Sequence, residues 1–305
     1  MRAMLLPVVA GVDGSAESLA AAEWAAREAV RRGRPLRLVH VRAWHPGQEA
    51  GSHLATAAQR HLARRTLREA EERISRTNPA VTLKEEQVDG PATTALLRAA
   101  DRAELLVLGS RGLSGFAGFL VGSVALGVVA RATRPVVLVR AGEEAADEHV
   151  PAQDGSPSVR TGYRDVVLGL DLGDPSDEVI GFAFEAAALR GARLKVVHAW
   201  QPASPLGGLG PGEIGLADRP RQAEEWRGFL TAVLQVWREK FPDVEVVERV
   251  TAARARSALV RAASGASLLV VGRRTKERPA GPRTGPVAHA AIQHVGCPVA
   301  VVPHE

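Results

Sequence analysis

The 305-residue sequence contains a single cysteine, Cys297, and only 4% of its residues are aromatic. One cysteine cannot form an internal disulfide, so disulfide-stabilised secreted domains are excluded and a cytoplasmic location is expected. The aromatic content is too low for the stacking platforms of single-stranded nucleic-acid binders. The net charge is +5, but the arginines are interspersed with glutamates along helical stretches. We therefore expect no nucleic-acid partner.

Several signatures of nucleotide and metal enzymes are missing. The sequence has no G-x-x-x-x-G-K-[ST] segment, and no G-x-G-x-x-G follows the first predicted strand. A Walker-type NTPase and a dinucleotide-binding fold are therefore disfavoured. The histidines do not form i, i+4 pairs on the predicted helices, so no metal site is expected. No general base is evident, and at most weak ATP hydrolysis is predicted.

An uncharged stretch of 19 residues, 112–130, has the length of a membrane span. Its first part contains four glycines, which disfavour a helix, and arginines flank it on both sides. We interpret it as a loop that leads into a buried helix, and we expect no membrane association. The apolar N-terminal run is interpreted as a first strand because no cleavage pattern follows it.

The two halves of the chain repeat each other. Asp13 and Asp171, Gly33 and Gly191, and His40 and His198 are each 158 residues apart. Gly109 and Gly272, Gly122 and Gly285, and Pro135 and Pro298 are each 163 residues apart. Such constant offsets indicate a duplicated domain. We predict domain 1 at residues 1–141, a flexible acidic linker with Pro and Ser at 142–161, and domain 2 at 162–305.

Within the first half, β-branched runs alternate with Ala-, Leu- and Arg-rich stretches. The predicted strands are 6–12, 37–41, 81–88, 104–108 and 135–140, and the predicted helices are 15–32, 53–77, 92–102 and 123–132. This alternation predicts an α/β fold with a parallel sheet and helices on both faces. In such sheets, ligands bind beyond the carboxyl ends of the strands.

The loop after the fourth strand contains glycines at a regular spacing, G-x-x-G-(nine residues)-G-S, formed by Gly109, Gly112, Gly122 and Ser123. Glycine leaves backbone N–H groups open to a phosphate, and the helix that begins at Ser123 favours an anion. Arg111 adds a positive charge. These features predict a site for an adenine nucleotide.

Asp13 follows the first strand and has a different predicted task. A carboxylate beside phosphates would be repelled, so Asp13 is expected to accept hydrogen bonds from ribose hydroxyls or to act through a divalent cation. The alternative is that Asp13 only caps the helix that begins near Ser15.

Asp13, the His40-Val41 end of the second strand and the glycine loop before "PVVLVR" resemble the universal stress protein family in its tandem-domain bacterial form. The resemblance implies two tandem flavodoxin-like (adenine nucleotide alpha hydrolase-like) domains, each with a five-stranded parallel sheet. It further implies ATP binding in many members and pairing of domains through the last strand. By position, it suggests Val12, Asp13 and Val41 near adenine and ribose, Leu108 and Gly109 beside the nucleoside, and Arg111, Gly112, Gly122, Ser123 and Val124 around the phosphates.

In the second copy of the loop, Thr275 replaces Gly112 and Pro286 replaces Ser123. Proline removes both an N–H and a hydroxyl donor, so domain 2 is predicted to bind nucleotide weakly or not at all. Capture of phosphate by the side chains of Arg273, Arg274, Lys276 and Arg278 remains an alternative.

The predicted function is a nucleotide-dependent regulator of the stress response that binds ATP, alone or with Mg²⁺, mainly in domain 1. A homodimer is expected. The alternatives are an interaction scaffold that needs no nucleotide and a slow ATPase. The residues do not separate ATP from ADP, AMP or a cyclic nucleotide.

Overall fold

A computed structural model of the chain describes residues 5–42, 53–110, 122–201, 219–275 and 284–305, apart from the side chains of 53–59 and 219. We call the part up to residue 140 the first half and the part from residue 166 the second half. The fold of each half follows the predicted alternation of strands and helices.

The first half contains five strands and four helices among these residues. The strands are β1 (Val8–Gly11), β2 (Leu36–Arg42), β3 (Leu83–Asp89), β4 (Leu105–Ser110) and β5 (Val136–Arg140). The helices are α1 (Ala16–Arg32), α2 (His53–Thr77), α3 (Ala92–Ala100) and α4 (Ser123–Val129).

The second half repeats this order. Its strands are β6 (Val166–Gly169), β7 (Leu194–Trp200), β8 (Val246–Ala252), β9 (Leu268–Arg274) and β10 (Val299–His304). Its helices are α5 (Asp177–Arg190), α6 (Arg219–Lys240), α7 (Ala255–Ala262) and α8 (Pro286–His294).

All ten strands form one sheet, in the order β3-β2-β1-β4-β5-β10-β9-β6-β7-β8. The strands are parallel within each half, and β5 and β10 pair antiparallel, with Ala300 opposite Val137. This confirms the α/β class and the pairing of the two halves through their last strands. The pairing satisfies backbone groups that would otherwise form an exposed edge in the middle of the molecule.

The helices cover both faces of the sheet. One apolar layer lies under α1, α2, α5 and α6 and includes the fully buried Trp24 and Phe184. The other lies under α3, α4, α7 and α8. Each layer runs through both halves, so the two copies share their cores across the β5–β10 pair.

Matching residues begin and end α1 and α5. Ser15 caps α1 by accepting a hydrogen bond from Ser18 N, and Ser176 caps α5 through Val179 N. Both helices end at a left-handed glycine, Gly33 and Gly191. A left-handed residue at this position closes a helix, and glycine adopts it without steric cost. The glycines keep the repeat offset, but α1 has 17 residues and α5 has 14, so the two copies differ in length at the start of this helix.

Helix α4 is shorter than predicted. It ends at Val129 instead of residue 132, because the N–H groups of Arg131 and Ala132 both turn back to the carbonyl of Val128. Two main-chain carbonyls just after this end, those of Ala130 and Ala132, accept hydrogen bonds from Arg273 of the second half.

The connection between the halves makes defined contacts near both of its ends. Glu148 is fully buried, and His149 pairs with Tyr163 in an isolated antiparallel bridge. The side chain of Arg164 also donates to the carbonyl of His149 at 2.6 Å. The connection is therefore packed against the molecule at both ends. The exact domain boundaries stay a prediction.

A buried ionic network joins α1 to the second half. Glu28 on α1 is fully buried and contacts Arg190 of α5 at 2.7 Å and Arg32 at 2.7 Å. Arg31 contacts both Glu28 and Glu148. Burial alone would raise the pKa of Glu28, but the three nearby guanidinium groups hold it well below its usual range. Glu28 is therefore ionised in the folded protein.

Candidate functional site

The carboxyl ends of β1 and β2 are held together at one edge of the first half. Val12 N donates to the carbonyl of Val39 at 2.9 Å, and the Nδ1 atom of His40 lies 2.8 Å from the carbonyl oxygen of Val12. His198 makes the matching contact to Leu170 in the second half, at 3.1 Å. The repeated histidine therefore fixes the start of the loop after the first strand of each half.

Eight of the ten predicted site residues are described. Val12 and Leu108 are buried, Val41, Gly109 and Gly122 are half-buried, and Asp13, Ser123 and Val124 are exposed. Because β1 and β4 are neighbours in the sheet, their ends and the start of α1 adjoin. Helix α4 reaches the same edge from the other face and packs on β4 and β5. The predicted Arg111 and Gly112 lie outside the described residues.

Asp13 and two serines form a hydrogen-bonded turn at the start of α1. Asp13 Oδ1 accepts from Ser15 N at 2.9 Å and from Ser15 Oγ at 2.6 Å, while Asp13 N donates to Ser18 Oγ at 3.3 Å. Ser15, and not Asp13, is the N-cap of α1. Partial burial would raise the pKa of Asp13, but the hydrogen bonds from Ser15 outweigh it and lower that pKa. Asp13 is therefore an ionised and positioned carboxylate.

Gly109 is required by packing of the protein on itself. A Cβ atom at this position would lie 2.6 Å from the carbonyl carbon of Glu17 and 2.8 Å from Ser18 N, both in the backbone of α1. No side chain rotation can relieve a clash with backbone. Because glycine has no Cβ, β4 can approach the first turn of α1 closely at Gly109.

Among the described residues, packing does not require a glycine at position 122. Its φ of −57° and ψ of 142° are open to any residue, and a Cβ there would meet nothing within 4 Å among the described atoms. Neither backbone conformation nor packing by that part of the chain therefore explains a glycine here. No described atom covers the surface beside Gly122.

The matching edge of the second half borders a cavity of about 810 Å³. It lies at the ends of β6, β7 and β9, and the turn after α4 of the first half, residues 130–133, closes one side of it. Leu170, Val179 and Val271 give it an apolar wall. The cavity therefore lies at the border between the two halves.

In this cavity the counterpart of Asp13 has a charged partner. Asp171 accepts from Gly173 N at 3.0 Å and lies 3.4 Å from Arg274, which also contacts Asp174 at 2.7 Å. Asp13 has no acidic or basic partner within salt-bridge distance in the described ranges. The carboxylate of Asp171 is therefore already paired with Arg274.

The second glycine loop also enters its helix differently. Gly285 has a φ of +74°, in the left-handed region that favours glycine, and Pro286 is the first residue of α8. The N–H of Thr275 donates to the carbonyl of His304 at 2.7 Å. Two of the donors expected of an anion cradle are thus absent or already bonded.

Sequence reasoning missed two groups of residues near these edges. Ser15 and Ser18 hold Asp13 in place, and the Asp-x-Ser spacing is the signal that could have revealed them. Arg273 was considered only as a cation for phosphate, yet it bonds to the carbonyls of Ala130 and Ala132. No sequence pattern indicates a contact between residues this far apart.

Two further findings concern the described residues only. None of their helices combines the length and apolar character needed to cross a lipid bilayer. No group of three or more His, Cys, Asp or Glu side chains within the same ranges is close enough to hold a metal ion.

Comparison with known proteins places this geometry in a family. The model of the universal stress protein family matches residues 4–140 and 162–303. A universal stress protein of Mycolicibacterium smegmatis is 32% identical, over 97% of this chain and 96% of its own length. Universal stress protein Rv2005c of Mycobacterium tuberculosis is 30% identical, over 96% of each chain.

Among solved structures, a universal stress protein from Archaeoglobus fulgidus has the same fold. It superposes with a TM-score of 0.66, covers 98% of each chain and is 16% identical in sequence. The family model covers both halves, and the relatives span the full repeat. The chain therefore belongs to the universal stress protein family, in its tandem-domain form.

Proposed function

We propose that this protein is a nucleotide-dependent regulator of the stress response and that it binds ATP in the first half. The nucleoside would lie over the ends of β1 and β4, and the phosphates would lie against the loop that leads to Ser123. The second half would act as a partner with a degenerate nucleotide site. A homodimer and a cytoplasmic location are part of the proposal.

The observation that carries the proposal is Gly122. Its backbone conformation suits any residue and its Cβ position is open within the described structure. A glycine at such a position is accounted for by close approach of a ligand to the main chain. The N–H groups at the start of α4 and the Ser123 hydroxyl are then available as donors to phosphate.

Asp13 supports the same assignment. Its Oδ1 atom is engaged by Ser15, while its Oδ2 atom has no hydrogen-bond partner among the described residues. This second oxygen can accept a hydrogen bond from a ribose hydroxyl or bind Mg²⁺. The Ser15 contacts fix the carboxylate before the ligand arrives, which reduces the entropy lost on binding.

Equilibrium dialysis with labelled ATP tests the proposal, and about one site per chain is expected. Gly122→Val should weaken binding by about two orders of magnitude or more, because a branched side chain would cover the donors. Gly296→Val is the matched control, since Gly296 also has open space at Cβ and lies at the opposite end of the strands. Two equal sites, no binding, or equal binding by both variants would contradict the proposal.

ATP turnover separates the regulator from an enzyme. We expect at most slow hydrolysis, well below the roughly 1 s⁻¹ that marks the low end of ordinary enzymes. Saturable turnover above that value, lost in Asp13→Asn or without Mg²⁺, would favour an ATPase instead. The protein would be a scaffold if it copurifies with no nucleotide and if Gly122→Val leaves its binding to protein partners unchanged.

A further inference from the structure

The cavity in the second half has one wall that belongs to the first half. Besides the ends of β6, β7 and β9, the turn at residues 130–133 lines it. Arg273, at the end of β9, lies where the two walls meet and is also part of the lining. A molecule in this cavity would therefore contact both halves.

Arg273 is a buried cation that has no acidic partner among the described residues. Its side chain is 6% exposed, and it donates to the carbonyl of Ala130 at 3.2 Å and to that of Ala132. In the described part of the chain no carboxylate lies within 4.0 Å of it. Burial lowers the pKa of Arg273 with no charge nearby to oppose the effect. The carbonyls at the end of α4 offset only part of the cost of burying this charge.

Arg274, the next residue, has the opposite surroundings. It is paired with both Asp171 and Asp174, at 3.4 Å and 2.7 Å. Of these two neighbouring arginines, the one with no carboxylate partner among the described residues is therefore Arg273, at the border between the halves.

The remaining lining restricts the kind of anion. Leu170, Val179 and Leu259 contribute buried apolar surface to the lining of the same cavity. A polyphosphate is disfavoured because the N–H of Thr275 is already bonded, Pro286 has none, and two carboxylates line the same cavity. A compact anion with an apolar body fits these surroundings better.

We propose that the cavity of the second half is a separate binding site for an organic monoanion with an apolar or aromatic body, and that Arg273 is its counter-charge. The anionic group lies at Arg273, and the body packs against the apolar wall. This site differs from the nucleotide site proposed for the first half in both location and ligand chemistry.

Fluorescence titration with two matched probes tests the site. Anilinonaphthalene sulfonate carries an aromatic body and one negative charge, and N-phenylnaphthylamine has nearly the same body without the charge. We expect the anionic probe to bind the full-length protein with about one site per chain and at least about tenfold more tightly than the neutral probe. Arg273→Gln should weaken the anionic probe about tenfold or more and leave the neutral probe unchanged.

The control is Arg140→Gln, because Arg140 makes an equivalent contact in the other direction. It donates to the carbonyl of Gln293, at the end of α8, at 3.0 Å, and it does not line the cavity. If the anionic probe binds more weakly only because a contact between the halves is lost, both variants should bind it equally weakly. If Arg273 forms the anion site, only Arg273→Gln should bind it more weakly. Thermal unfolding checks that each variant is folded.

If Arg273→Gln does not fold, Ala255→Phe replaces it. Ala255 is half-buried in the lining of the cavity, so a phenyl ring there should exclude the probe without removing a contact between the halves. Equal affinity for the two probes, or unchanged binding of the anionic probe in these variants, would overturn the proposal. Both substitutions lie in the second half, so a loss of probe binding in these variants is not a loss at the nucleotide site proposed for the first half.

Discussion

The two halves of this protein share a sheet and helix caps but differ at the ends of their strands. In the first half Gly122 has an ordinary backbone conformation and open space, whereas its counterpart Gly285 needs a positive φ and precedes a proline. The same residue type is thus present in both loops for different reasons. Matching glycines in a repeat therefore do not by themselves indicate matching sites.

The first glycines of the two loops differ in the same way. Gly109 lies against the backbone of α1, whereas a Cβ at Gly272 would meet the side chains of His304 and Val179. The ionic partners differ too, since Asp171 has Arg274, whereas within the described ranges Asp13 has only hydrogen bonds to the nearby turn. The second copy has a cavity that the turn at residues 130–133 of the first half closes on one side.

The largest difference expected between the halves concerns Glu28, whose counterpart in the repeat is Ala186. Glu28→Gln should lower the free energy of unfolding by about 4 kcal/mol, because it leaves three guanidinium groups without their buried carboxylate. Urea unfolding at neutral pH measures this. Glu185→Gln is the control, since Glu185 contacts the same Arg32 but is half-exposed, and it should cost less than about 1 kcal/mol.

The stability of the protein at low pH should also depend on Glu28. The pKa of Glu28 is lowered in the folded state, so its contribution is present above its ordinary value of about 4.5 and is lost as the pH falls below that value. The wild type should therefore lose stability more steeply than Glu28→Gln in this range. Equal stability of Glu28→Gln and Glu185→Gln would show that the network does not hold the halves together.

The next effect concerns the two strand-end glycines. Gly109→Ala should destabilise the protein by about 3 kcal/mol, because its Cβ would meet the main chain of α1, which must then shift. Gly272→Ala should cost only about 1 kcal/mol, because the end of the His304 side chain can move aside. Chemical denaturation of both variants measures the two losses in the free energy of unfolding. A smaller loss for Gly109→Ala than for Gly272→Ala would contradict the assigned packing.

Only some features of this structure could be predicted from the sequence. Alternating apolar runs and the repeated offsets predicted the fold and the parallel strands, because periodicity and topology rules operate locally, whereas the β5–β10 pairing was implied only by the resemblance to the family. The contact of Arg273 with α4 depends on how the two halves dock, which no local pattern encodes. A flexible connection at 142–161 stays a prediction from its composition, whereas the burial of Glu148 depends on arginines from α1, which no local pattern indicates.

A smaller effect is expected from the connection, which occurs only once in the repeat. Glu143 is buried, and burial, with Asp147 and Glu148 nearby, raises its pKa to about 8. The folded state thus keeps this carboxyl protonated while the unfolded chain ionises, so stability should fall as the pH rises from about 4.5 to about 8.

Glu143→Gln tests this connection, because glutamine is neutral at every pH. Relative to the wild type, the variant should be about 2 kcal/mol more stable at pH 6.5 than it is at pH 5. Thermal or urea unfolding at the two values measures the change. An identical pH profile for the two proteins would mean that Glu143 is hydrated in the folded state and that the connection is looser than the structure shows.

The smallest predicted effect compares the two strand-end aspartates directly. Asp13→Asn should weaken ATP binding about tenfold, equivalent to about 1.4 kcal/mol, because an amide is a weaker acceptor for a ribose hydroxyl than a carboxylate. The Asn oxygen can still accept from Ser15, so the start of α1 should be preserved. Asp171→Asn should leave ATP affinity unchanged, because Asp171 faces Arg274 in the other cavity. Calorimetric titration of both variants decides: if only Asp171→Asn weakens binding, the nucleotide belongs to the second half and the assignment of the two edges must be reversed.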